Sequence, residues 1–247
     1  MSAILIPAFT LQSHMLRPFR LLVCAAALSA VVAAPCVAAP KRLYLTFDAD
    51  MTPRMLERLH SGEVRAFYDV GIVDYLDEHR VPAVVFVTGL FAETYPELVH
   101  RLATDPVITV GSHGYKHSAY LPHCYGLPAL TTDAAKLADL EKARRAIAKA
   151  SGRVPVLFRY PGLCHDSHDD ELVVKEGLRV DVPDVISGDA FNSNVQAIVE
   201  QVLRKAKNGS TVIFHFGGPN APATLEALKR VVPLLEKKGY VFAAKSG

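Results

Sequence analysis

From Leu43 onward, short apolar runs alternate with longer amphipathic stretches. Leu43-Tyr44-Leu45-Thr46-Phe47, Ala83 to Val87, Val107 to Val110, Val156 to Phe158 and Thr211 to Phe214 are brief and dense in branched and aromatic residues, which predicts buried strands. One helix is expected to start at the cap pair Thr132-Asp133, carry Leu137, Leu140, Ala143 and Ile147 on one face, and stop at Gly152. A second begins near Ser193-Asn194, carries Val195, Ile198, Val199, Val202 and Leu203, and ends at Gly209. A third runs from Thr224 to Lys238, with Pro233 expected to kink it or break its register. Strands alternating with helices predict a largely parallel α/β architecture. No repeat, low-complexity tract or Pro/Ser-rich linker divides the segment 39–247, so it is expected to be one domain.

The N-terminus follows another pattern. Arg17 and Arg20 flank an apolar run from Leu21 to Val32, and small residues follow, with Cys36 and Ala38 before Ala39. This is the layout of a signal peptide over residues 1–38, with Met15 as a possible true start, and the run is short for a membrane span. The expected location is therefore periplasmic or extracellular, with no membrane span in the mature chain. The chain holds 27 Lys and Arg against 25 Asp and Glu, and losing Arg17 and Arg20 would balance them. That balance gives no electrostatic reason to expect nucleic acid as a partner. Cys24 and Cys36 would leave with the signal, and Cys124 and Cys164 would remain. In an oxidising compartment such a pair is expected to form a disulfide.

Chemistry in parallel α/β folds gathers where strands give way to loops. Here those points read Thr46-Phe47-Asp48-Ala49-Asp50, Ser112-His113-Gly114-Tyr115-Lys116-His117, Arg159-Tyr160-Pro161-Gly162 and Phe214-His215. His113 and His117 stand four apart, on one side of a helical turn or within a compact loop. With one carboxylate they make a His₂-carboxylate set suited to a divalent ion with open positions. Each feature alone is commonplace; their ordered recurrence at successive strand ends is not.

The ordered set TFD-x-D, H-x₃-H, R-Y-P-G and I-F-H resembles the polysaccharide deacetylase family (carbohydrate esterase family 4, the NodB-homology domain). The likeness extends over Leu43 to Phe242 and includes HRVPAVVFVTG, from His79 to Gly89. It implies a distorted, incomplete (β/α) barrel and a deacetylase acting on N-acetylated glycans such as chitin-like, peptidoglycan or poly-N-acetylglucosamine material. It further implies one divalent metal ion, zinc first, with cobalt or nickel accepting the same ligands, and a monomer. By motif, Asp48 corresponds to the general base, Arg159 to the arginine that holds it, and His113 and His117 to metal ligands. By the same resemblance, the backbone N–H of Gly162 stands where the family completes an oxyanion site, His215 corresponds to the general acid, and Asp189 to the aspartate that orients it.

The sequence departs from the family pattern in three places. Ala49 stands where the usual TFDDG has its second aspartate. Residues i and i+2 of a strand share a face, so Asp50 is expected to be the third metal ligand. Ala190 replaces a tryptophan, leaving Phe191 or Phe216 to supply an apolar wall for the acetyl group. R-Y-P-G-L lacks a final glycine and runs into Cys164, whose bridge to Cys124 would tie two site loops. An O-acetyl esterase, a catalytically weak glycan-binding protein and a hydrolase of small cyclic amides stay open as alternatives.

Overall fold

The computed structural model describes residues 39–245. The expected signal peptide, residues 1–38, lies outside them. Eight strands occur in chain order: β1 (Lys41–Ala49), β2 (Ala83–Val87), β3 (Ile108–Ser112), β4 (Leu157–Phe158), β5 (Arg179–Val180), β6 (Val185–Ile186), β7 (Thr211–His215) and β8 (Tyr240–Phe242). All their pairings are parallel. The sheet order is β5-β4-β3-β2-β1-β7-β6, with β8 against the start of β1. With β5 and β6 at its two ends, the curled sheet is a half-barrel, as the family resemblance implied.

Strand alternation separates the two faces. On β1, Leu43, Leu45, Phe47 and Ala49 are buried in the outer core with Ile72, Val85, Phe91, Phe214, Leu228 and Val231. Burying each large side chain of this set contributes roughly 1.5–3 kcal/mol, which holds the strand in one phase. The intervening Thr46 and Asp48 therefore turn inward. Inside the curl a small apolar cluster of Val84, Phe86 and Leu157 supports them.

The helices are α1 (Pro53–His60), α2 (Val70–Glu78), α3 (Gly89–Thr94), α4 (Pro96–Thr104), α5 (Asp133–Ser151), α6 (Ser167–Lys175), α7 (Val195–Lys205) and α8 (Thr224–Lys237). Thr132 caps α5 by accepting from the Ala135 N–H, and Gly152 ends it at φ 73°, as the sequence predicts. Asn194 caps α7, which stops at Lys205 rather than continuing to Gly209. α8 passes through Pro233 without breaking. Pro233 is exposed, and so is Lys229, whose carbonyl it leaves without an intrahelical amide partner. No helix among the described residues is long and apolar enough to cross a membrane.

Candidate active site

The ends of β1, β3, β4 and β7 converge on one rim. Ala49 points into the outer core, so Asp48 and Asp50 both face the pocket, as expected of a D-x-D segment. His113 follows β3, and its N–H donates to the Val87 carbonyl at 2.9 Å. Its Nδ1 lies 2.8 Å from the Arg159 carbonyl. A carbonyl only accepts, so Nδ1 carries the hydrogen and Nε2 is left to bind. That Nε2 lies 3.4 Å from Asp48 Oδ2 and 3.4 Å from Asp50 Oδ1. His117 Nε2 lies 3.5 Å from the same Asp50 oxygen. One donor atom from each of Asp50, His113 and His117 falls within 4.8 Å of the others.

The two histidines sit in a compact loop, not on a helix. Gly114 has φ 71° and His117 φ 61°, a strained value for a residue with a side chain. Asp139 of α5 anchors this loop by accepting the Tyr115 N–H at 3.0 Å. Burial raises the Asp139 pKa to about 6, against the lowering effect of that N–H and of Lys116 and Lys142.

Arg159 is fully buried inside the curl. It donates to Asp48 Oδ1 at 2.7 Å and to Thr46 Oγ1 at 2.8 Å, and its guanidinium lies over Phe86 at 4.2 Å. It also pairs with Asp181, which in turn receives Lys245. Sequence reading missed Asp181 and Lys245. Asp181 follows a two-residue strand, and only its inward phase distinguishes it from an ordinary loop acid.

Opposite, His215 is the Cα partner of Asp48 in the β1–β7 register. Its Nδ1 lies 2.8 Å from Asp189 Oδ1, and its backbone N–H donates to Asp189 Oδ2 at 2.7 Å. Thr224 donates to the same carboxylate at 2.6 Å and Ser187 at 2.9 Å. Burial disfavours the imidazolium, but the Asp189 hydrogen bond and charge outweigh it and raise the His215 pKa to about 9. Burial pushes Asp189 up, and its bond to His215 brings it below the ordinary carboxylate value. Burial likewise pushes Asp50 up while His117 and His113 hold it low. Burial keeps His117 below the usual imidazole value, against the raising effect of Asp50.

Gly162 sits at φ 68° in the turn Pro161–Leu163. A Cβ there would meet Cys124 Sγ at 2.5 Å, so the close approach requires glycine. Cys124 and Cys164 form the expected disulfide across a separation of 40 residues. Phe216, an expected wall of the acetyl pocket, instead lies in the outer core beside Phe47 and Phe91. Its place in the β7 alternation carries it to the apolar face. Phe191 is exposed, beside Tyr125.

A parallel half-barrel whose rim joins a histidine–aspartate pair to an Asp/His/His cluster has the layout of a hydrolase. The sequence matches the model of the polysaccharide deacetylase family over residues 37–180, more than half of its length, and the chain belongs to that family. Peptidoglycan-N-acetylglucosamine deacetylase of Bacillus cereus is 25% identical over 210 residues, covering 82% of this chain and 92% of that one. Chitooligosaccharide deacetylase of Rhizobium leguminosarum bv. trifolii is 28% identical, covering 81% and 88%. A solved family 4 carbohydrate esterase from Streptomyces lividans, in complex with acetate, superposes with a TM-score of 0.65 at 28% identity, covering 84% and 95%. The family-model match ends before Asp189 and His215, which enter the site through the fold.

Proposed function

We propose that this chain is an exported, metal-dependent deacetylase that hydrolyses the N-acetyl groups of glycans. The observation that carries the reading is the convergence on one rim of a buried Arg159–Asp48 pair, an Asp50/His113/His117 cluster and an Asp189-held His215. Export is supported by the charged-then-apolar N-terminal sequence and by the disulfide.

The residues fit a divalent cation. Asp50 Oδ1 is buried without a hydrogen-bond partner, which is costly unless something else binds it. His113 and His117 aim their Nε2 atoms at the same place. When bound there, the ion polarises the acetyl carbonyl and acidifies water.

Asp48 then serves as the base. Its Oδ1 is held by Arg159, and its other oxygen faces the pocket to take the proton of the attacking water. The Gly162 N–H donates to the oxygen of the acetyl group as negative charge grows there. The C–N bond breaks as His215 Nε2 gives its proton to the leaving nitrogen, and the products are acetate and a free amine. Asp189 fixes the His215 tautomer, since its carboxylate takes the Nδ1 hydrogen. An amine leaves poorly unless protonated, so C–N cleavage requires the proton that His215 supplies.

Acetate release from N-acetylated oligosaccharides and O-acetylated xylan, with and without chelator, tests the reading. Chelator-sensitive release, faster on the N-acetylated set, is expected. Metal-loaded protein that frees acetate from none of them would overturn it.

A further inference from the structure

Among the described residues, Tyr125 and Phe191 are the only aromatics in the set of exposed large apolar side chains, at 75% and 80% exposure. They come from distant parts of the chain, yet their ring centroids lie 6.2 Å apart with planes inclined by 31°. Together they form one apolar patch left in water, although burying either ring would be favourable.

The patch is continuous with the site on two sides. Tyr125 Cδ2 lies 3.4 Å from where a Cβ on Gly162 would stand, and the adjacent Cys124 bridges to Cys164. Phe191 follows Asp189 by two residues, and its N–H donates to the Gly188 carbonyl at 3.0 Å. The rings thus span the rim between the Gly162 turn and the loop that holds His215. Tyr125 is also strained, at φ 50°, and His123 beside it has φ 61°. Such strain persists where the surroundings impose it, and it gathers at ligand contacts.

We propose that Tyr125 and Phe191 form a stacking platform for the apolar C–H face of a pyranose ring adjoining the acetylated one. A pyranose in a glycan chain has an apolar face and polar edges. Two exposed rings side by side match that face, and continuity with the site places the occupant next along the chain. The proposal rests on the deacetylase reading and assigns chain-length preference to this patch.

Calorimetric titration with the N-acetylglucosamine tetramer and monomer tests it, alongside acetate release from both. Tyr125→Ala and Phe191→Ala should each weaken tetramer binding roughly tenfold while monomer affinity changes far less. Tyr125→Phe and Phe191→Tyr should restore tetramer affinity. Equal weakening of monomer and tetramer, no weakening of either, or no tetramer binding by the unaltered protein would overturn it. So would ring-dependent binding of phosphatidylcholine vesicles with tetramer affinity unmoved, which would assign the patch to lipid. Tetramer binding that depends on the rings, without acetate release, would sustain the platform and sink the deacetylase reading.

Discussion

Asp50 and Asp48 are two residues apart and face the same pocket, but their partners differ. Asp48 is neutralised by Arg159, whereas Asp50 Oδ1 has no hydrogen-bond partner and faces only the imidazoles of His113 and His117. Asp50→Ala should therefore abolish stoichiometric divalent metal in the purified protein, measured by elemental analysis. Asp48→Asn should retain the metal and lose about 10²–10⁴-fold in kcat. Equal metal loss in both variants would contradict the division of roles. Arg159 makes a different prediction, because it is fully buried between Asp48 and Asp181. Removing it leaves carboxylates facing each other out of water. Arg159→Met should cost about 3–5 kcal/mol in urea unfolding. Arg159→Lys should recover only part of this, since one ammonium cannot reproduce the guanidinium's separate bonds to Asp48, Thr46 and Asp181.

At the scale of elements, the site depends on loops held by distant helices and by a covalent tie. Asp139 projects from α5 to hold the Tyr115 N–H between the two histidines. Its folded pKa of about 6 lies above the ordinary carboxylate value of 3.8. The folded state therefore keeps a proton that the unfolded chain has lost across that interval. Its contribution to stability is full below the lower value and is lost as pH rises through the upper one. Asp139→Asn should accordingly flatten the decline in urea midpoint between pH 4 and 7, relative to the unaltered protein. An unchanged slope would show that Asp139 does not titrate in this range. The Cys124–Cys164 bridge joins the loop after His117 to the turn containing Gly162. Cys124→Ser with Cys164→Ser should lower stability by about 2–4 kcal/mol. Activity should fall further than this unfolding explains, because both loops border the reacting groups; acetate release measured well below the melting temperature separates the two effects.

For the whole molecule, the sequence was legible wherever a polar residue interrupted a strong period. Asp48 and His215 sit at the ends of apolar strands, and Asp50, His113 and Arg159 directly follow one, so their chemistry stood out. The three long helices α5, α7 and α8 were readable for the same reason. The strands β5, β6 and β8 have only two or three residues, too few for a period to show. Asp181 and Lys245 were invisible because their importance comes from closing a line of alternating charge across the curl, from Lys245 through Asp181 and Arg159 to Asp48. Phe216 was misjudged for want of its phase. One residue beyond His215, it belongs to the opposite face.

That phase has a further consequence. On β1 and β7, the side chains that decide folding and those that decide reactivity occupy opposite faces of the same strands. Selection can act on them almost separately. Apolar exchanges among Leu43, Leu45, Phe47, Val212 and Phe214 drift within the limits of packing while the pocket stays constant. Exchanges at Thr46, Asp48 or His215 can retire or redirect the reaction while the barrel stays intact. A lineage built on this scaffold can therefore lose its chemistry without losing its shape, and recover or replace it by a few inward-facing changes.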